Sequence, residues 1–216
     1  MSKKLVIIPA GGFAREALWL IRDLVKAGEA LEPIGFLDDS PEQEGKKLCG
    51  LPILGGLEWI KDKAQEIELV VATGFPELKK DLVKRAQTYG VRFAQLIHPR
   101  VECSEYVKIG KGSIICAGCI LTTQIEIGEF VLINLDCTIG HDVKIGDYSC
   151  ISPGVHISGR VEIGKGCEIG TGVNIIPGVK IGDDTVVGAG ATVINDLPSK
   201  VVAVGVPAKV IKERTD

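Results

Sequence analysis

The 216-residue sequence is poor in aromatic residues, in excess positive charge and in long apolar segments. Only 5% of its residues are Phe, Trp or Tyr, and 25 Lys and Arg against 28 Asp and Glu give a net charge of −3. The lack of a basic excess argues against nucleic-acid binding. No apolar run approaches the ~20 residues of a membrane-spanning helix. The first apolar run stops at Pro9, so a signal peptide is not expected either.

The seven cysteines do not form the paired framework of a small secreted protein. Cys116 and Cys119 are the one C-x-x-C pair, and the total is odd. This pattern favours a reducing cytoplasm, and no metal site is predicted.

Glycine, by contrast, is abundant, with 27 residues, and it accompanies a regular repeat. From residue 109 to residue 193, every sixth position is aliphatic. These positions are Ile109, Ile115, Leu121, Ile127, Ile133, Ile139, Ile145, Ile151, Ile157, Ile163, Ile169, Ile175, Ile181, Val187 and Val193. Such a run does not arise by chance at ordinary Ile, Leu and Val frequencies.

A second period of 18 residues, three times six, organises the hexads into coils. The segments VKIGKG, IEIGEF, VKIGDY, VEIGKG and VKIGDD begin at residues 107, 125, 143, 161 and 179. This spacing predicts a parallel β-helix of five stacked three-sided coils, with the aliphatic residue inside. The glycine after it, as in Gly110 and Gly128, is expected to turn the corner at a φ value that other residues resist. Cys119, Cys137 and Cys167 fall in a second inward column and are therefore predicted to be structural.

The first hundred residues have a different pattern, in which apolar runs alternate with amphipathic stretches. LVIIPA, PIGFLDD, ELVVATG and VRFAQLI are predicted strands, and the segments beginning AREAL and PELKK are predicted helices. Alternation of this kind predicts a small parallel α/β sheet. We therefore expect a Rossmann-like domain at residues 1–98, then a β-helix with a C-terminal cap at residues 99–216.

The turn between the first strand and the first helix contains Gly11 and Gly12, and the second strand ends at Asp38 and Asp39. Backbone N–H groups at a helix N-terminus suit a phosphate, and an acid at that place suits ribose hydroxyls. The signal is weak by itself because the full G-x-G-x-x-G pattern is absent. A tight turn followed by a solvated acidic loop remains the alternative.

His141 and Asp142 are adjacent in a chain that has only three histidines. A histidine next to a carboxylate has the chemistry of a general base at neutral pH. The same hexad position elsewhere holds Lys111, Glu129 and Asp147, so a solvated corner residue is the structural alternative.

Taken in order, the motifs AGGFARE, GFLDD, GLPILGGLEWI, VVATG, LIHPR, the hexads and VGVPAKVIK resemble one family over residues 3–211. They are similar to the sugar O-acyltransferases of the sialic-acid O-acetyltransferase type. That family includes acetyltransferases of nucleotide-linked 4-amino sugars in bacterial glycan biosynthesis. The resemblance implies a left-handed β-helix, a homotrimer, and acetyl-CoA in the groove between neighbouring prisms.

The resemblance also implies roles for residues. His141 would be the general base, Asp142 the acid that raises its basicity, and Asn134 a nearby amide. The acetyl-CoA site would include Cys150, Gly159, Thr171 and Ala189. The nucleotide sugar would meet Gly11, Gly12, Phe13, Asp38, Asp39 and Gly74.

Three positions depart from the family pattern. Cys150 stands where many members have a second histidine that contacts the acetyl carbonyl, and a thiol is a poor hydrogen-bond donor. Asp142 is one carbon shorter than the glutamate of some members, which predicts a weaker contact with His141. Pro9 replaces the first glycine of the turn.

The favoured interpretation is an acetyl-CoA-dependent acetyltransferase acting on the amino group of a nucleotide-linked sugar, expected to be UDP-linked, without a metal. The glycine turn and Asp38–Asp39 favour a nucleotide over a free sugar. Two alternatives remain: O-acetylation of a sialic acid or another sugar hydroxyl, and a scaffold that binds NAD or senses a ligand without transferase activity.

Overall fold

The computed structural model describes residues 2–214, so residues 1, 215 and 216 of the predicted domains lie outside it. The chain divides into two compact units between Pro99 and Arg100. The first unit contains β1 (Lys3–Ile8), α1 (Gly12–Lys26), β2 (Leu31–Phe36), β3 (Lys47–Leu48), β4 (Leu51–Pro52), β5 (Ile67–Val71), α2 (Pro76–Gln87), β6 (Arg92–Phe93) and β7 (Leu96–Ile97), with single 3₁₀ turns at Pro41–Gln43 and Leu57–Ile60.

A parallel sheet in the order β2-β1-β5-β6 forms the centre of the first unit. The last four residues of β1 are buried because helices and loops cover both faces of a parallel sheet. Helix α1 turns its apolar stripe, including Leu18 and Ile21, toward this core. The predicted α/β fold is confirmed.

One predicted strand of this unit was wrong in extent. VRFAQLI does not form a continuous strand: Arg92–Phe93 joins the sheet next to β5, whereas Leu96–Ile97 is a separate short strand. The GLPILGG segment, which the strand pattern did not assign, supplies one strand of the β3–β4 hairpin.

The second unit is a parallel β-helix with three faces. The face that we call the histidine face consists of Glu102–Cys103, Ile120–Leu121, Thr138–Ile139, His156–Ile157, Asn174–Ile175 and Thr192–Val193. The charged face consists of Val107–Ile109, Ile125–Ile127, Lys144–Ile145, Glu162–Ile163 and Lys180–Ile181. The cap face contains Ile114–Ile115, Leu132–Ile133, Cys150–Ile151, Glu168–Ile169 and Val186–Val187, extended by Val201–Val204 and the antiparallel strand Lys209–Glu213.

The prediction of five coils was one short. The histidine face has six stacked strands, because one strand precedes the first VKIG segment and another follows the last. Each strand of the charged face ends in Ile followed by Gly, as in Ile145–Gly146. The strands Glu102–Cys103 and Thr192–Val193 lack this Ile-Gly pair. Counting the Ile-Gly pairs therefore missed both ends of the solenoid.

The interior confirms the inward columns. Ile133, Ile151 and Ile169 are each 0% exposed, as are the three cysteines predicted to be structural. The buried thiols donate to the carbonyl oxygens of corner residues in the same or the next coil, for example Cys119 to Asn134 at 3.0 Å. Burial raises the pKa of Cys167 to about 11, which keeps the thiol protonated and unreactive at neutral pH.

The explanation of the corner glycines was wrong. Gly110, Gly128 and their equivalents do not adopt positive φ; a different column does, at every sixth residue from 112 to 190. A Cβ at Gly110 would instead lie 2.4 Å from the backbone of Gly128 in the next coil. Glycine is needed there because the coils approach closely, not because the backbone is left-handed.

The outward surfaces of the faces differ in charge. Along the charged face, lysine and glutamate alternate from coil to coil, at Lys108, Glu126, Lys144, Glu162 and Lys180. The outward positions of the histidine face contain neither lysine nor arginine. Within residues 2–214, no helix is long and apolar enough to cross a membrane.

Candidate active site

The corner that follows the histidine face, here the histidine corner, holds Thr123, His141, Gly159 and Pro177 in successive coils. The side chains of His141 and Asp142 are about half exposed, at 51% and 54%. Nδ1 of His141 lies 2.7 Å from Oδ2 of Asp142. The shorter aspartate therefore does reach the imidazole.

This hydrogen bond decides which ring nitrogen carries the proton. An ionised carboxylate only accepts, so Nδ1 of His141 donates and Nε2 keeps its lone pair in the neutral ring. In the part of the chain that the structure describes, Nε2 has no hydrogen-bond partner. A neutral imidazole held in this way can take a proton from a bound substrate.

The backbone holds the pair from both sides. The N–H of Asp142 donates to the carbonyl of Thr123 in the preceding coil, and the carbonyl of His141 accepts from Arg160 in the following one. Asp142 lies in the left-handed region at φ 61°, like the other residues of its every-sixth column. Aspartate tolerates this conformation better than most side chains. The backbone of this corner therefore accommodates the carboxylate that holds the imidazole of His141.

Gly159 lies directly against the ring of His141. A Cβ at this position would be 2.5 Å from Nε2 and 2.7 Å from Cε1. The absence of a side chain at residue 159 therefore makes room for the imidazole. The contact of Gly159 with acetyl-CoA stays a prediction.

The remaining β-helix residues of the predicted site lie elsewhere on the coil. Asn134 follows the cap-face strand Leu132–Ile133, and its N–H donates to Ile151 in the next coil. Thr171 and Ala189 follow later strands of the same face and are exposed. These residues form a second corner, one face of the prism away from His141. A single chain does not bring the two groups together.

Asn134 presents an amide with a defined orientation. Its Oδ1 accepts the N–H of Leu135 at 2.8 Å, so Nδ2 is left as a donor without a partner among the described residues. The Cys119 thiol donates to the Asn134 carbonyl, which ties this corner to the interior.

Cys150 is buried on the cap face, 4% exposed, and pairs with Leu132 and Glu168 in the neighbouring coils. Its thiol lies 3.8 Å from the carbonyl of Tyr148. Cys150 therefore lies on the cap face, with its thiol toward the corner that precedes this face, and not at the corner of His141 in the same chain.

In the first unit, the predicted substrate residues lie at the carboxyl edge of the sheet. Strand β1 has β2 on one side and β5 on the other, which makes its end a topological switch point, where open α/β sheets bind ligands. Gly11 is the N-cap of α1, and none of the described side chains caps that helix. Its first N–H groups are thus available to an anion. Phe13, in the first turn, is half-buried.

The two aspartates after β2 differ in their surroundings. Oδ1 of Asp39 accepts the N–H of Leu57 at 3.0 Å, and Oδ2 pairs with Arg85 at 2.8 Å. Burial alone would raise the pKa of Asp39, but Leu57 and Arg85 outweigh it and lower the pKa. Oδ1 of Asp38 accepts the N–H of Ser40, while its second oxygen is unpaired among the described residues. Asp38 is thus freer than Asp39 to meet a ligand.

Gly74 lies in the loop between β5 and α2 and is exposed. A Cβ added to it would have nothing beyond its chain neighbours within 4 Å among the described residues. Sequence reasoning missed Arg85, because a basic residue near the end of an amphipathic helix has no distinctive pattern. Residues 2–214 contain no group of three or more His, Cys, Asp or Glu side chains arranged to hold a metal ion.

Two known protein families match the sequence, one in each of the two units. Residues 4–86 match the PglD N-terminal domain, and residues 124–159 and 160–195 match the bacterial transferase hexapeptide family. No curated protein matches the sequence significantly.

Solved structures match almost the whole chain. The acetyltransferase domain of PglB from Neisseria gonorrhoeae FA1090, in complex with acetyl coenzyme A, is 29% identical with a TM-score of 0.90, over 98% of this chain and 100% of that one. A perosamine N-acetyltransferase variant from Caulobacter crescentus, in complex with CoA and GDP-perosamine, is 31% identical with a TM-score of 0.86, over 99% and 98%. WeeI from Acinetobacter baumannii AYE is 29% identical with a TM-score of 0.87, over 98% and 100%.

The α/β unit, the hexad β-helix and the exposed histidine of its corner define a hexapeptide-repeat acyltransferase. The chain belongs to the family of sugar acyltransferases that carry a PglD-type N-terminal domain. The family resemblance of the sequence is thereby confirmed.

Proposed function

We propose that this protein transfers the acetyl group of acetyl-CoA to the amino group of a nucleotide-linked amino sugar. The observation that carries the proposal is the His141–Asp142 pair, with Nδ1 held by the carboxylate and Nε2 open. Perosamine N-acetyltransferase, which binds CoA and GDP-perosamine, and the PglB domain, which binds acetyl-CoA, support the substrate class. The UDP form remains a prediction, as does the cytoplasmic location.

The chemistry requires one proton to leave the amine. Nε2 of His141 takes this proton as the nitrogen attacks the thioester carbonyl, so that an N–C bond forms and the C–S bond breaks. The proton then passes from Nε2 to the departing CoA sulfur. Asp142 stabilises the imidazolium that exists between these two events, as a hydrogen-bonded carboxylate does.

Asn134 is proposed to stabilise the oxygen of the thioester carbonyl. Its Oδ1 is already used by Leu135, which leaves Nδ2 as a donor for developing negative charge. With Cys150 in place of a histidine, the Asn134 amide is the stronger donor on this side of the site.

Because His141 and Asn134 lie at different corners of one chain, a site that uses both must form between two copies. We place that interface on the histidine face and its corner, in a cyclic homotrimer. Ile120, Ile176 and Ile194 are each about 40% exposed there, and the face has no outward lysine or arginine to desolvate. The ion-paired charged face, along which a depression of about 1090 Å³ runs, contains none of the proposed site residues.

The nucleotide sugar is proposed to bind at the carboxyl edge of the N-terminal sheet. Its phosphates would lie at the uncapped N-terminus of α1, near Gly11 and Gly12, and its nucleoside near Asp38. Gly74 would allow close approach of the ligand. Acetyl-CoA would run along the β-helix past Gly159 of one copy and past Thr171 and Ala189 of the next.

A subunit-mixing experiment tests both the reaction and the shared site. His141→Ala and Asn134→Ala proteins are prepared separately, denatured together, refolded as a mixture and assayed for acetyl transfer to nucleotide-linked amino sugars. In randomly mixed trimers, about a quarter of the sites combine an intact His141 with an intact Asn134 from the neighbouring copy. Mixed protein should therefore recover up to a quarter of the wild-type activity, although each variant alone is nearly inactive.

The unmixed variants, refolded in the same way, are the control. If mixing recovers no activity while the trimers form, the two residues do not share a site. If the wild-type protein acetylates hydroxyl sugars but no amino sugar, the O-acetyltransferase alternative replaces the proposal. An absence of transfer to any sugar would favour the scaffold alternative.

A further inference from the structure

Phe75 is the most exposed aromatic side chain among the described residues. It is 67% exposed, in contrast with Phe36 and Phe130, which are buried. A large apolar ring left in water contributes little to the stability of the isolated fold, and an exposed aromatic face is a surface on which a base can stack. Phe75 was not among the residues that the sequence singled out.

The backbone of Phe75 is fixed on both sides. Its N–H donates to Oγ1 of Thr73 at 3.2 Å, and its carbonyl accepts the N–H of Lys79 as the first turn of α2 begins. Pro76 occupies the first position of that helix. Thr73 is itself buried. The ring is therefore presented from a rigid position, which lowers the entropy lost when a ligand binds to it.

Phe75 lies at the same edge of the sheet as the predicted nucleotide site. Strands β1 and β5 are parallel neighbours, with Ile8 paired to Val71. Gly12 and Phe75 each lie four residues beyond these paired positions. The residues that precede them in the chain, Gly11 and Gly74, have open space where a Cβ would be, with nothing within 4 Å among the described residues. An exposed ring thus stands beside a stretch of backbone that a ligand can approach closely.

On the other side of β1, the loop after β2 carries Asp38 with one carboxylate oxygen that is unpaired among residues 2–214. The ion pair between Asp39 and Arg85 links this loop to α2, the helix whose N-cap is Phe75. The carboxylate suited to ribose hydroxyls and the exposed ring therefore belong to elements that are tied together.

We infer that Phe75 is a specificity-determining residue that stacks on the nucleobase of the sugar nucleotide. The inference rests on the proposed function, since it requires a nucleotide at this edge. A planar ring recognises a base through its π face, which adds affinity without strongly selecting one base. Phe75 would then distinguish nucleotide-linked sugars from free sugars and sugar phosphates.

Calorimetric titration tests this role with UDP, GDP and inorganic pyrophosphate as probes. Phe75→Ala should weaken the binding of both nucleoside diphosphates about 10- to 100-fold, as expected for the loss of one base–aromatic stack. The binding of pyrophosphate should be unchanged. Phe75→Trp should restore nucleotide binding, and Tyr106→Ala, which removes another exposed aromatic ring in the β-helix, should leave all three ligands unaffected.

Equal affinity of wild type and Phe75→Ala for UDP and GDP would overturn the inference, as would an equal loss for pyrophosphate. A failure of the wild-type protein to bind either nucleotide would overturn it as well. Loss of the oligomer in Phe75→Ala, seen by sedimentation, would show instead that a second copy covers the ring. If nucleotides bind as expected but no acetyl group is transferred to the linked sugar, the proposed function fails and the role of Phe75 stands.

Discussion

Two corners of the same β-helix use polar residues in opposite ways. At the charged corner, which follows the charged face, Lys111 pairs with Glu129, and Asp147 pairs with Lys165 at 2.8 Å. At the histidine corner, His141 has only the carboxylate of its own neighbour, and Nε2 has no partner within residues 2–214.

The backbone at the two corners is the same, because each corner places a residue in the left-handed region and donates N–H groups to the adjacent coil. The difference therefore lies in which side chains are satisfied within the chain. Where the charges of one coil pair with those of the next, as at the charged corner, the side chains connect the stacked coils to each other. Where a titratable atom is oriented but has no hydrogen-bond partner among the described residues, as at Nε2 of His141, we expect the corner to meet a ligand.

Removing the imidazole should have the largest effect. His141→Ala should lower kcat about 10²- to 10⁴-fold, because a positioned general base contributes that much. The melting temperature and the affinity for acetyl-CoA should stay near the wild-type values, since the side chain is half exposed. Steady-state kinetics, thermal unfolding and calorimetry measure the three quantities. A kcat within a few-fold of wild type would remove His141 from the mechanism.

A glycine-to-alanine change should affect activity at the histidine corner and stability at the charged corner. In Gly159→Ala, the new Cβ meets the imidazole of His141, a side chain that can turn away. We expect an intact fold and a kcat lower by about 100-fold, because misplacing a catalytic group by about 1 Å can cost that much.

Gly146→Ala, next to the charged corner, is the matched control. Its Cβ would lie 2.6 Å from the backbone carbonyl carbon of Gly164, which cannot move aside without shifting the coil. This variant should lose stability in thermal unfolding rather than specific activity. Equal activity of Gly159→Ala and wild type would show that the ring position in the structure is not the functional one.

The smallest effect is expected at Asp147. Burial would raise the pKa of this carboxyl, but the hydrogen bonds from Lys165 and from the Glu129 N–H lower it below its ordinary value. A lowered folded-state pKa contributes stability above the ordinary value, and this contribution is lost as the pH falls through the folded-state pKa. Asp147→Asn should therefore cost about 0.5–1 kcal/mol at pH 7 for such a solvent-screened pair.

Urea unfolding as a function of pH measures this contribution. The difference between Asp147→Asn and wild type should shrink as the pH falls below about 4, the ordinary range of an aspartate pKa. Acetyl transfer at pH 7 should be unchanged. A difference in stability that persists undiminished at low pH would mean that Asp147 acts by packing and not by charge.

The hexad period was sufficient to predict the architecture of the second unit, because an aliphatic residue every six positions fits the three-sided coils of a parallel β-helix and does not fit the spacing of an amphipathic helix. It was not sufficient to explain the glycines. Residue type alone does not distinguish a left-handed backbone from a close approach between coils, and Gly110 belongs to the second kind.

The candidate site was predicted in part. The histidine and its neighbouring acid are adjacent in sequence, so their contact could be expected. The contact of Gly159 with the ring depends on stacking residues 18 apart, and the ion pair of Asp39 with Arg85 joins residues of different elements. Neither has a local pattern.

By itself, the sequence determined the two-part organisation, the β-helix and the pair His141–Asp142, because each depends on periodicity or adjacency along the chain. Only the tertiary structure decided that Asn134 and His141 lie at different corners. It also decided that Nε2 of His141 lies against Gly159 without a hydrogen-bond partner among the described residues, and that Phe75 is exposed at the edge of the sheet. These features depend on which coil, corner or strand end each residue reaches after folding, and distance along the chain does not report that.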